Sequence, residues 1–160
     1  MTKRKITGMA ILLTFLVGLI VGWSTWKGKL YEYDHETFQS IAASLTFENK
    51  VPMEMPFKGL EVSQRNFEKE KEKLNVTLTN INKETLEVYI GKEPKESFDE
   101  LVGEEVQINN SRGTFISKDS GKSILAWQEN DVHYQITYFY KLTPKEVSKK
   151  ALIRMAEGFA

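Results

Sequence analysis

Between Lys5 and Lys27 the chain carries no charged side chain. The intervening segment, Ile6–Trp26, reads ITGMAILLTFLVGLIVGWSTW. As a helix its 21 residues would span about 31 Å, close to the ~30 Å hydrocarbon thickness of a bilayer. Its hydroxyls can bond back to the helix backbone, and glycine is common in membrane helices. A helix folded into an ordinary core needs a polar outer face, and this one has none. Trp23 and Trp26 stand at the far end, where indole rings favour the headgroup layer, and Lys27 and Lys29 follow. A cleaved signal peptide shares the basic start and apolar stretch but needs small residues at its cleavage site. Val21-Gly22-Trp23-Ser24-Thr25-Trp26 offers bulky rings there instead, so the segment reads as an uncleaved anchor.

Charge sets the orientation. Lys3, Arg4 and Lys5 precede the segment and favour the cytoplasmic side, against a weaker opposing pull from Lys27 and Lys29. The expected layout is a cytoplasmic tail (1–5), a transmembrane helix (6–26), a connector (27–34) and one extracytoplasmic domain (35–160). Gly18 and Gly22 form a G-x-x-x-G pair, the spacing that lets two membrane helices approach, so a homodimer through this helix is a candidate.

All 22 acidic residues lie beyond the apolar segment, against 19 basic ones. A weakly acidic domain without a clustered basic surface is a poor partner for nucleic acid. Cysteine is absent, which excludes disulfides, thiolate metal sites, a cysteine nucleophile and a lipidated cysteine.

Asp34 can cap a short helix in which Phe38, Ile41, Ala42 and Leu45 fall on one face. Val51-Pro-Met-Glu-Met-Pro56 then favours extended backbone. Strand signals follow. Gly59–Ser63 is a short candidate, and RNFEKEKEK (residues 65–73) reads as a solvated loop or helical turn. Leu74, Val76 and Leu78 alternate with polar residues, as do Leu86, Val88 and Ile90 after a loop at Asn80–Glu84. Phe98 and Leu101 anchor a longer connection before Glu105–Ile108, Gly113–Ser117, Ile124–Gln128 and Val132–Lys141, which are separated by turn-forming residues. On the last, Val132, Tyr134, Ile136, Tyr138 and Tyr140 share one face. Thr143, Pro144 and Glu146 then read as a capping box opening a helix with an apolar stripe from Val147 to Phe159. The expected fold is α+β: a curved antiparallel sheet of about six or seven strands, packed against a short N-terminal and a longer C-terminal helix.

Signatures of catalysis are missing. Ser120-Gly121-Lys122-Ser123 ends like a phosphate loop, but Ile116 stands where that motif needs glycine and a strand follows where it needs a helix. It reads as a hairpin turn. His35 and His133 are the only histidines, and neither a metal-binding nor a nucleophile motif surrounds them. No enzyme activity, metal or cofactor is therefore expected. Trp127, Tyr134, Tyr138 and Tyr140 concentrate on the last two strands and are the candidate ligand- or partner-binding residues, although burial in a sheet–helix core is the usual fate of such rings.

Several segments taken together resemble a family. Gly113-Thr-Phe-Ile, Ile124-Leu-Ala-Trp127-Gln, Val132-His-Tyr134, Leu142-Thr-Pro-Lys-Glu-Val and Met155-Ala-Glu-Gly-Phe159, with the opening Phe38–Pro56, are similar to a domain-of-unknown-function family. Its members are membrane-anchored extracytoplasmic proteins of Gram-positive spore-forming bacteria. The resemblance implies a half-barrel sheet with helices in its concavity, as in lipoprotein-carrier and sigma-regulator sensor domains, which bind lipid or partner proteins. It brings no mapped site residue, and the lipidated cysteine of many relatives is missing here. The expected function is a membrane-tethered binding or sensing domain for an apolar ligand or a protein partner. An assembly factor of an envelope or sporulation complex, and a hydrolase with an unrecognised site, are the alternatives.

Overall fold

A computed structural model of the chain describes residues 28–68, 72–95, 102–118, 121–139 and 147–160. Nine strands and two helices are assigned among them. In chain order they are β1 (Tyr31–Glu32), α1 (His35–Ala42), β2 (Glu54–Met55), β3 (Glu61–Glu68), β4 (Lys73–Thr79), β5 (Thr85–Gly91), β6 (Glu104–Ile108), β7 (Ser111–Lys118), β8 (Lys122–Glu129), β9 (Val132–Tyr138) and α2 (Lys149–Glu157). β1 and β2 form a two-residue ladder, and the other seven strands form one sheet ordered β3-β4-β5-β9-β8-β7-β6. All its pairings are antiparallel. Two meanders, β3–β5 and β6–β9, thus meet at the β5–β9 seam, and the fold is α+β.

Alternation decides which face is buried. Leu86, Val88 and Ile90 sit opposite Tyr138, Ile136 and Tyr134, and Leu125 and Trp127 carry the same face onto β8. Phe38 and Ala42 of α1, Val51–Leu60, and Leu152, Met155 and Phe159 from the C-terminal end close over it in one continuous core. Both helices therefore lie on one side of the sheet. The opposite face is also covered at the centre: Gln135 and Thr137 are buried and joined by an amide-to-hydroxyl bond of 3.0 Å.

Four local expectations change. The charged run after Ser63 is not a loop at its start, because β3 continues to Glu68. A mostly exposed edge strand needs little apolar alternation, so its composition hides the continuation. The connector contains β1, whose two residues give no periodic signal. α2 begins at Lys149, where the Ser148 hydroxyl accepts from the Ala151 N–H at 3.2 Å, and Val147 is not helical. Thr143, Pro144 and Glu146 lie outside the described residues. The extended segment 51–56 does more than break a helix: it provides β2 and a bridge from Pro52 to Phe159.

The last residues are tied in by main-chain bonds. Val51 and Ala160 exchange N–H···O bonds of 3.0 Å, and Met53 N–H donates to the Gly158 carbonyl. The Arg154 guanidinium donates to the Gly28 carbonyl at 2.7 Å, joining α2 to the start of the described chain. Among the described residues no helix is long and apolar enough to cross a membrane. The apolar segment Ile6–Trp26, with Gly18 and Gly22, lies outside them.

Candidate functional site

Three of the four aromatic candidates are described, and all three are buried: Trp127, Tyr134 and Tyr138. Pairing of β8 with β9 puts Trp127 directly opposite Tyr134, and their rings stack at 5.2 Å with 15° between planes. Phe159 meets both edge-on, at 5.0 Å and 5.7 Å. Offset and edge-to-face contacts of this kind hold aromatic groups in a filled core. Tyr138 tilts against Phe57 at 6.0 Å. Phe159 and Phe57 thus pack with these rings in the core. Tyr140 lies outside the described residues.

Room for these rings comes partly from an absence on the neighbouring strand. Gly113 faces Trp127, and a Cβ there would stand 2.8 Å from Ile108 Cδ1 and 2.9 Å from the Ala126 carbonyl oxygen. A side chain at this position would push into β6 and β8.

Tyr134 also lines a cleft. The cleft, of about 150 Å³, opens at the end of the sheet where β8 turns into β9, lined by Phe47, Asn49, Lys50, Lys92, Glu129 and Tyr134, among others. The Tyr134 hydroxyl accepts the Lys50 N–H at 3.2 Å. Lys50 Nζ bridges to Glu129 at 2.6 Å, and Lys92 Nζ stands 5.0 Å over the Phe47 ring. Burial raises the Tyr134 phenol pKa. The Lys50 bond pulls it partly back, and the carboxylates of Glu129 and Glu48 push it further up. A neutral hydroxyl bonded to a backbone amide positions the chain and supplies no base. Lys50 and Glu129 are 79 positions apart, so neither spacing nor composition signals the cleft.

Elsewhere the chemistry is equally sparse. A wide groove between α1 and β3 is lined by Asp34, Glu36, Thr37, Ser40, Ile41 and Arg65. Asp34 is occupied there as the cap of α1, and its bonds from Thr37 lower its pKa. His35 packs edge-on against Tyr33 at 6.4 Å. His133 is half-buried, and burial lowers its pKa against an upward pull from Asp131. Among the described residues no three His, Asp or Glu side chains gather to hold a metal. Gly121 takes a left-handed φ of 88° in the turn into β8, so a strand, not a helix, follows the Gly-Lys-Ser sequence.

The sheet's two edges differ in cover. β6 has α2 alongside: Lys149 Nζ reaches Glu104 at 2.5 Å, and the Asn109 amide donates to the Glu157 carbonyl at 3.0 Å. On β3, six of eight residues are exposed, and among the described residues no strand pairs with its outer side.

Residues 49–158, more than half of the chain, match the family model described as Domain of unknown function (DUF4367). No curated protein and no solved structure gives a significant match.

Proposed function

As the chain belongs to the DUF4367 domain family, we propose that it is a single-pass membrane protein carrying an extracytoplasmic, non-enzymatic domain that recognises a protein partner. The carrying observation is β3, an eight-residue edge with six exposed residues and a free outer side among the described residues. An uncovered edge offers a row of backbone donors and acceptors to an extended partner segment, and side chains along it set specificity. Arg65 faces the groove beside α1 and is the polar contact within reach of such a segment. The filled surfaces of Trp127 and Tyr134 favour this reading over an apolar ligand. The segment Ile6–Trp26 supports the tether, and the lysines and arginine before it support a cytoplasmic N-terminus. Both helices on one face of an antiparallel sheet agree with the sensor-type half-barrel that the sequence resembles; an origin in Gram-positive spore formers rests on that resemblance alone.

The test uses the full chain in its native membrane. A photo-crosslinking residue at Gln64 of β3 should give a partner adduct, and the same residue at Gln107 of β6 should not. A single cysteine at Asn130 should react with an impermeant maleimide added to intact cells. Equal adducts from both edges, or a shielded cysteine, would overturn the reading.

A further inference from the structure

The two ends of the sheet carry different surfaces. At one end lie the β4–β5 turn, the start of β6 and the β7–β8 turn. Pairings Leu86–Tyr138, Ser123–Tyr138, Lys118–Lys122 and Glu104–Phe115 carry this end across the whole sheet. Ile81 is 98% exposed and Val102 93% exposed, and both belong to this end. Exposed single aliphatics are ordinary, but Ile81 stands on a turn that is held in place. Asn80 braces the β4–β5 turn: its Oδ1 accepts the N–H groups of Asn82 and Glu84 at 3.0 and 3.1 Å, and its amide donates to the Lys58 carbonyl at 2.9 Å. Ile81 is therefore presented outward by a built turn.

Cations share this end. Lys29 and Lys58 stand 5.5 Å and 5.4 Å from the Tyr31 ring, and Lys83 follows in the same turn. All three lysines are exposed, and among the described residues none makes an ion pair with a carboxylate. Glu61 and Glu104 share this end, but Lys149 engages Glu104. At the opposite end Lys50 and Lys73 are paired with Glu129 and Glu68.

The chain also comes in from this end. β2 runs toward Lys58, whose carbonyl touches Asn80, and β1 is antiparallel to β2. Residues before Tyr31 therefore approach from the side of the β4–β5 turn. Resting on the tether reading above, we propose that this end of the domain docks on the anionic lipid surface of the membrane that Ile6–Trp26 crosses. Ile81 and Val102 enter the headgroup layer, Lys29, Lys58 and Lys83 face lipid phosphates, and the strands stand upright on the bilayer. Exposed aliphatics flanked by lysines are the chemistry that an interface of this kind binds.

The cysteine-free chain makes the test clean. Full-length protein with a single cysteine at Ile81, Val102 or Asn130, carrying a polarity-sensitive fluorophore, is reconstituted in phosphatidylcholine vesicles with or without phosphatidylglycerol. Brominated acyl chains report depth. The expected result is a blue shift and quenching at positions 81 and 102 when phosphatidylglycerol is present, and neither at 130. Replacing Lys29, Lys58 and Lys83 by glutamine should lower the docked-to-free ratio by about five-fold per lysine, with the thermal midpoint unchanged. Probes at 81 and 102 that stay as wet as 130, or quenching indifferent to the lysines, overturn the proposal. An alkaline carbonate wash reads the tether separately. A chain that stays in the membrane with wet probes sinks the docking alone, and a chain that washes off while its probes still quench sinks the tether alone.

Discussion

The two edges of the sheet are made by opposite means. β6 is short, buries Val106 and Ile108, and has α2 beside it, latched at both ends by Lys149 and Asn109. β3 is longer and mostly exposed, with Val62 and Phe67 its only apolar side chains. Protection of one edge by packing and of the other by polarity alone is a division that soluble sheets use against self-association. Here it also sets a stability role for β6 against the recognition role proposed for β3.

The largest expected effect comes from breaking the guarded side. Leu152→Ala empties a fully buried position beneath α2 and should cost about 2–5 kcal/mol in urea unfolding. Amide exchange in β6 should speed up with it; unchanged β6 exchange would remove α2 as the guard. Gly113→Val, which places atoms against Ile108 and the Ala126 carbonyl, should cost about 1–3 kcal/mol and disturb β6 while leaving β3 in place. Ser148→Ala removes the cap of α2 and should cost about 1 kcal/mol, visible as a lower thermal midpoint. At the other edge, Arg65→Ala should change stability by less than about 0.5 kcal/mol while cutting the Gln64 crosslink yield. A large stability loss there would make β3 a structural edge after all.

Alkali sharpens the comparison from a different side. The Tyr89 phenol donates to the Glu93 carbonyl at 2.6 Å, and burial, then Glu93 and Glu68, raise its pKa to about 12. A phenol raised above its unfolded value of about 10 contributes its stability in full below that pH and loses it as pH climbs toward 12. Glu68 belongs to β3, so the loosening should register first in amide exchange of β3–β5. Tyr89→Phe should flatten the fall in urea midpoint between about pH 10 and 12.

How much of this was legible in the sequence follows from how local each signal is. The alternation of Leu74, Val76 and Leu78, and of Leu86, Val88 and Ile90, is a property of neighbours, and it locates the strands and their buried face. The start of β3 was covered by the Gly59–Ser63 candidate, but its continuation to Glu68 escaped because that mostly exposed stretch has no such pattern. The start of α2 was misplaced because Thr143-Pro144 and Ser148 are both good caps, and only packing chooses between them. The fate of the aromatic candidates turned on Phe159, whose place over Trp127 and Tyr134 depends on the bridge to Pro52. Gln135 and Thr137, on the other face of β9, are buried because β9 lies in the middle of the sheet, which composition does not reveal. Likewise Ile81 and Val102 come to one end only through strand order.

The way Gly28 and β1 are held has a mechanical consequence. A load on the chain ahead of Gly28, directed away from the β4–β5 turn end, acts along β1 and not across it. Both ladder pairs, Tyr31–Met55 and Glu32–Glu54, and the Arg154 grip on Gly28 then resist in shear together, where a sideways pull would unzip them one after another. A chain end held in this way yields more easily to lateral tugging than to axial tension.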